Sequence, residues 1–413
     1  MQASTKFSMT AQVLLAMASG IALGQMWPEA GTAIGPLAKI MIQLVKAIAT
    51  PLVFLAVCDA LINHNVEGRD FGRLIGMTSI NGCIAIVIGI TIATVFQPGD
   101  GLTALITEGE AKKFESGVKT DFWTLLSSQL PESIVQPFID NAIMPTVVLA
   151  LLIGFALRKI KNGHDKVLSE RVEQIQVLIG TGRAVVDVIL AWIIKLIPFA
   201  VFAASARVVA QHGLSPLSGL FRYAGLCLLA MSVHVIFVYH AWIVGVAKMS
   251  ARLFWRAAAR PVLYAFGVNS SLVSLPLTLA ALDKLGVSRR ASTLAACVGT
   301  NLNNDGIILY EGFTFLALAQ AAGAGLAIEQ QILAGIYCIV AAMGVAGVPE
   351  AGVIALSLVL SSVGLSPDMI TLLLSVDWIL ARARSAVNVV SDMSGSIVLD
   401  HFAKRRAARA EVG

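Results

Sequence analysis

The sequence predicts an all-α polytopic membrane protein with eight transmembrane helices and two re-entrant helical hairpins. Three observations carry this. Only 13% of residues are charged and 57% are hydrophobic, with a mean hydropathy of +0.81, whereas soluble domains carry roughly 25% charged residues. The apolar runs are continuous for about 20 residues, as a spanning helix requires, while barrel strands alternate over about 10. Basic clusters alternate with the runs along the chain.

The first apolar run begins near Met9. It has no convincing charged n-region or small-residue cleavage site, so the expectation is a retained first helix. Apolar spans follow at 34–62, 74–96, 140–157, 174–210 and 217–247. Their excess length implies tilt or helix continuing outside the bilayer. Residues 97–122 are polar and glycine-containing and read as an external loop.

Basic residues gather at Arg69 to Arg73, Arg158 to Arg171, Lys248 to Arg260 and Lys404 to Arg409. The positive-inside rule places these segments, and both termini, on the cytoplasmic side of an inner (plasma) membrane. Their alternation with spans leaves no continuous surface for nucleic acid. The five cysteines (Cys58, Cys83, Cys227, Cys297, Cys338) are scattered and odd in number. They read as small apolar residues, not as a disulfide or metal framework.

The second half differs. The apolar stretch 251–286 is interrupted by VNSSLVSLP (268–276), 288–322 by GTNLNNDG (299–306), and 330–362 by GVAGVPEAG (344–352). Each break combines residues that unwind or turn a helix. The arms are too short to cross a core of ~30 Å. Non-helical backbone survives at membrane depth only when buried in protein or lining a watery cavity. The expected order is hairpin, broken helix, hairpin, then a polar helix at 366–403. Broken helices in corresponding positions point to a transporter's binding site.

In the last helix Asp377, Ala381, Arg384, Asn388 and Asp392 fall on one stripe at about 100° per residue. Arg382 lies about 160° from Arg384 and cannot share its role. Each charge at the bilayer centre costs about 2.5–3.5 kcal/mol, so the stripe must face a polar cavity. Arg384 suits a carboxylate ligand through two parallel hydrogen bonds; the structural alternative is a pair with a neighbouring acid. For Arg382 a salt bridge and a gating role stay open. Asp392, Asn303 and Asp305 offer the oxygens a hard cation prefers, with carbonyls of unwound backbone around Gly299 and Asn388. At the hairpin tips, Ser270 to Leu272 and 344–349, backbone N–H groups near helix N-termini can hold an anion. Glu311 can carry a proton or make a structural hydrogen bond.

These residues carry a resemblance. ATPLVFLAV (49–57), NSSLVSLP, NNDGIILYEG (303–312), AGVPEAG (346–352) and DWILARARSAVNVVSD (377–392) resemble the dicarboxylate/amino-acid:cation symporter family, over nearly the whole chain. The family's R-T-x-x-N-x-x-x-D pattern appears as Arg384, Ser385, Asn388 and Asp392, and its NMDGT as NNDGI. The resemblance implies a homotrimer working as an elevator in the lipid bilayer. A scaffold part would comprise 1–70 (helices 1 and 2) and 98–216 (external loop, helices 4 and 5). A transport part would comprise 71–97 (helix 3) and 217–413 (helix 6 onward). It places Arg384 on a carboxylate of a small organic anion, with Ser270, Ser271, Ile307, Gly347, Val348, Ala381, Ser385 and Asn388 around it, and a gate at Gly347 to Pro349. It places Na+ at Gly299, Asn303, Asn388 and Asp392, at Asn303 with Asp305, and at carbonyls around Ala342, Met343 and Val345. A site in the third helix would use Thr78 and Asn81, although this chain has Thr78, Asn81 and Gly82 where the family offers hydroxyls.

Other departures bear on substrate. Amino-acid carriers of the family have an aspartate at the position of Ala381, where it meets the substrate's amino group. Alanine cannot, so a C4-dicarboxylate is expected, with an acidic amino acid or proton-coupled dicarboxylate transport as alternatives. Ile307 stands for a threonine and makes the pocket more apolar; Asn304 stands for a methionine. Arg382 and Glu311 match the eukaryotic glutamate carriers, in which the latter is associated with proton coupling. A channel is the rival transport reading, opposed by the cation sites and closing hairpins. An enzyme is not expected: Ser394 and His401 are seven apart on one helix, and no GxSxG or HExxH motif occurs.

Overall fold

The computed structural model describes residues 9–63, 69–105, 130–140, 143–163, 165–298, 303–344, 351–362 and 370–410. The chain is mostly helical, and no strand occurs among the described residues. The α-helices of seven residues or more are α1 (Met9–Met26), α2 (Pro28–Ile34), α3 (Pro36–Asn63), α4 (Arg69–Phe96), α5 (Ile143–Lys161), α6 (Lys166–Ile194), α7 (Ile197–His212) and α8 (Ser215–Val233). They continue with α9 (Ala251–Val268), α10 (Ser271–Lys284), α11 (Asp305–Ala321), α12 (Ile328–Gly344), α13 (Ala351–Ser362) and α14 (Ile370–Ala410). Among the described residues, Gly72–Phe96, Lys166–Ile193 and Leu217–Val246 are each long and apolar enough to cross a membrane.

Three sequence expectations are corrected. The span expected at 174–210 is two helices, α6 and α7, parted at Lys195 and Leu196. Pro198 in the first turn of α7 lacks the N–H that would continue the ladder. The break expected at 268–276 shrinks to Asn269 and Ser270, and α10 runs through Pro276. Asn269 takes a left-handed conformation (φ +54°), which its short amide side chain tolerates, and ends α9. Ser270 starts α10 as its N-cap, its Oγ accepting from the Val273 N–H at 3.2 Å. The segment expected as a loop from 97 is packed at its start: Gly99 N–H donates to Gln320 Oε1 at 3.1 Å, and Leu102 is buried.

After Val233, α8 continues as two π-helical turns, His234–Tyr239 and Ala241–Val246, of a kind often found at functional sites. Trp242 Nε1 donates to Asn81 Oδ1 at 2.7 Å, tying this helix to α4. Trp255 Nε1 donates to His240 Nε2 at 3.0 Å, tying it to α9.

The core centres on α14, which packs against α4, α7, α8, α9, α10, α11 and α13. Every described residue from Leu373 to Val376 and from Val387 to Asp400 is buried. A helix hidden on all sides would be apolar all round in an ordinary core; this one carries charged side chains. A second polar tie sits apart from it: Arg183 Nη1 of α6 meets Asp59 Oδ2 of α3 at 2.9 Å, inside two of the apolar spans.

Candidate functional site

α14 presents its stripe in the expected register, and Asp377, Ala381, Arg384, Asn388 and Asp392 are all buried. Arg384 is gripped by Asp377, seven residues earlier: Nη1 donates to Oδ1 at 2.8 Å and Nη2 to Oδ2 at 3.0 Å. The pair with a neighbouring acid, the structural alternative, is therefore present. The guanidinium also lies over the Tyr310 ring, 4.0 Å from its centroid. Its Nε edge is met by the backbone of α13, where a Cβ on Gly352 would lie 2.5 Å from Nε. A larger residue there would push the guanidinium aside.

Asn388 fixes the entry to α11. Its Oδ1 accepts from Gly306 N–H at 2.9 Å, satisfying a first-turn donor that the helix leaves unpaired. A Cβ on Gly306 would stand 2.7 Å from the Arg384 carbonyl, so the glycine of NNDGI permits contact with α14. Asn388 Nδ2 donates to Asn304 Oδ1 at 3.1 Å, and Asn304 Nδ2 donates to the Ala342 carbonyl of α12 at 3.0 Å. Asn304 thus links α14 to the end of α12.

Around the start of α11, Asn303 Nδ2 makes a long 3.4 Å bond to Asp392 Oδ1. Asp305 Oδ2 accepts from Ser391 Oγ at 2.6 Å and from Tyr239 OH at 2.9 Å, with His234 Nε2 at 3.7 Å. Asn303 Oδ1 and Asp305 Oδ1 are buried and have no hydrogen-bond partner among the described residues. Buried oxygens are normally satisfied, and unpartnered carboxylate and amide oxygens are the kind a hard cation such as sodium takes. No group of three His, Cys, Asp or Glu residues placed to hold a metal occurs among the described residues.

Ser385 Oγ lies 3.2 Å from Asn269 Oδ1, at the turn between α9 and α10, and 3.1 Å from the Ala381 carbonyl. Ser271 and Ile307 are buried near these elements' starts. Met343 lies in the last turn of α12. In α4, Thr78 Oγ1 donates to its own helix at Ile75 O, and the Asn81 carbonyl is engaged by Trp242. Arg382 Nη1 donates to the Trp378 carbonyl, away from Arg384's pair. Glu311 is fully buried, and neither carboxylate oxygen has a partner among the described residues. Gly299, Val345, Gly347, Val348 and Pro349, and with them the gate, lie outside the described residues.

His234 and Tyr239 were missed by the sequence reading. Each is fully buried, and their rings meet edge to face at 5.0 Å. The signal was available: His234 is an ionisable group inside an apolar run, as costly there as the residues of α14.

Comparison with known proteins decides the family. The sodium:dicarboxylate symporter family model matches residues 9–402. The chain belongs to that family. Proteins named C4-dicarboxylate transport protein resemble it along most of their length. The one from Deinococcus radiodurans is 28% identical over 95% of this chain and 88% of its own. The one from Rhizobium leguminosarum is 28% identical over 94% and 87%. C4-dicarboxylate transport protein 2 of Pseudomonas aeruginosa is 26% identical over 96% and 91%. Family membership makes the chain a membrane transporter, and the buried polar stripe on α14 is the part of it that a structural protein would not need.

Proposed function

We propose that this protein is a secondary active symporter that couples inward sodium flux to uptake of a C4-dicarboxylate. The observation that carries the reading is the buried line Arg384, Asn388, Asp392, with the start of α11 docked on Asn388. It offers a cation for a carboxylate and, two turns on, oxygens for sodium. The names of the relatives support a C4-dicarboxylate. Ala381, with no charge to meet an ammonium group, argues against an amino acid.

In this reading one substrate carboxylate takes Arg384, competing with Asp377 for a guanidinium that offers five donors. Ser270, Ser271, Ser385, Asn388 and Ile307 surround it, with Gly347 and Val348 from the second hairpin's tip. Sodium is held by Asn303, Asp305, Asn388 and Asp392 with Gly299, and by carbonyls around Ala342, Met343 and Val345. Thr78 and Asn81 contribute less, since Asn81 already serves Trp242. Bound sodium supplies positive charge that offsets the carboxylates of the site.

The elevator motion of a homotrimer completes the proposal, with eight spans and two hairpins in an inner membrane and cytoplasmic termini. The scaffold would be 1–70 and 98–216, and the moving part 71–97 and 217–413. A second reading, proton coupling through Glu311, is favoured by that residue's unpartnered carboxylate.

The experiment is uptake of labelled C4-dicarboxylate by protein reconstituted in liposomes. Uptake should need inward sodium and should be lost in Arg384→Ala. Uptake unchanged without sodium would move the driving ion to protons, and full uptake by Arg384→Ala would remove the substrate assignment.

A further inference from the structure

The first arm of the first hairpin bears a charged face that the transport reading does not use. On α9, Arg252, Arg256 and Arg260 recur every fourth residue, so they line one side of the helix. All three are exposed, and none has an ion pair or hydrogen bond among the described residues. The sequence contains no Asp or Glu between Asp187 and Asp283. The carboxylate nearest to them along the chain, Asp283, pairs with Arg289 instead. The opposite side of α9 is buried through Phe254, Ala258, Pro261 and Ala265.

The same exposed side continues into apolar surface. A groove of ≈ 800 Å³ lies between α9 and α10, lined by Arg260, Leu263, Tyr264, Val273, Pro276 and Leu277, with Ala259 beside them. Leu263 is 70% exposed and Val273 54%. Guanidinium groups followed along one helix face by an apolar trough match a molecule with an anionic head and a long hydrocarbon tail. Arginine binds phosphate through paired donors, and its long stem lets Arg260 reach back toward the interface while Leu263 and Val273 meet hydrocarbon. Tyr264, half exposed, suits the headgroup boundary.

We propose that α9 and α10 hold an anionic phospholipid of the cytoplasmic leaflet, its phosphate on Arg256 and Arg260 and one acyl chain in the groove. Any lipid would cover the apolar part; the arginines select charge. This goes beyond the transport reading and does not depend on which substrate or ion is carried.

The test uses the purified full chain in uncharged detergent. Thermal unfolding is followed with phosphatidylglycerol, phosphatidylcholine or glycerol 3-phosphate, since a ligand of the folded state raises its apparent stability. Phosphatidylglycerol should raise the midpoint more than phosphatidylcholine at equal concentration, and glycerol 3-phosphate should leave it unchanged. The double variant Arg256→Gln, Arg260→Gln should need roughly 10-fold or more phosphatidylglycerol for the same shift. Val273→Trp, which fills the groove from an exposed position, should weaken the response with the arginines intact, so the test survives poor folding of the double variant. Arg405→Gln with Arg406→Gln, another basic cluster, should respond like the parent. Equal responses to both lipids, an undiminished response in the Val273→Trp or arginine variant, or a full response to glycerol 3-phosphate would overturn the proposal.

Discussion

Arg384 and Asp377 form a two-pronged ion pair across two turns of α14, with N···O separations of 2.8 and 3.0 Å. Both side chains are 3% exposed. Breaking such a desolvated pair from one side leaves a lone buried charge and costs about 3–5 kcal/mol. Asp377→Ala should therefore lower thermal stability by that order without substrate. A dicarboxylate should then stabilise the variant more than the parent, because it replaces the lost partner. The double variant Asp377→Ala, Arg384→Ala should be more stable than Asp377→Ala alone and insensitive to dicarboxylate. Unfolding scans with and without dicarboxylate read all three, and a loss under about 1 kcal/mol for Asp377→Ala would show that the pair is solvated in the protein.

Asn304 stands between Asn388 and the Ala342 carbonyl. Replacement by leucine removes both bonds and leaves the Asn388 amide and the Ala342 carbonyl short of a partner. An unsatisfied buried group costs about 1–3 kcal/mol. Asn304→Leu should lose stability in that range. If the second hairpin and sodium share this link, it should also need more sodium for half-maximal uptake. A stable variant with the parent's sodium curve would make the bridge incidental.

Tyr239 and Ser391 both donate to one oxygen of Asp305. Tyr239→Phe withdraws one donor without changing shape, leaving the Ser391 bond. The expected cost is about 1 kcal/mol. If Asp305 binds sodium, the freed lone pair should make stabilisation by sodium larger than in the parent, whereas Asp392→Ala should reduce it. An identical sodium response in Tyr239→Phe and the parent would take Asp305 out of the cation site.

The α14 stripe was legible because helical spacing is a local property and charge at membrane depth is expensive: residues 377, 381, 384, 388 and 392 needed only counting. The breaks at 269 and at 303–304 were legible for a similar reason, although Pro276 misled, since α10 runs through it. What Arg384 touches was not decidable. Asp377 shares its stripe, yet a ligand carboxylate would suit it as well, and only side-chain geometry distinguishes them. His234 and Tyr239 reach Asp305 from 66 to 71 residues away in sequence. No spacing rule relates them, and one polar group in an apolar run looked unremarkable. The Arg183–Asp59 tie escaped for the same reason.

The proposed preference for a dicarboxylate over an amino acid rests on Ala381. It is buried, three residues before Arg384 and four after Asp377 on the same face. A carboxylate there would supply an anion for a substrate ammonium group and would add negative charge beside the Arg384 pair. Ala381→Asp should therefore weaken dicarboxylate uptake and favour aspartate, moving the ratio of the two by tenfold or more, about 1.4 kcal/mol of discrimination. Ala381→Asn, of similar size but uncharged, should lower uptake of both without moving the ratio, because crowding does not distinguish an ammonium from a methylene. Competition between labelled dicarboxylate and aspartate in the same liposomes measures this directly. A ratio unchanged by the aspartate but shifted by the asparagine would mean that shape, not charge at this residue, excludes amino acids.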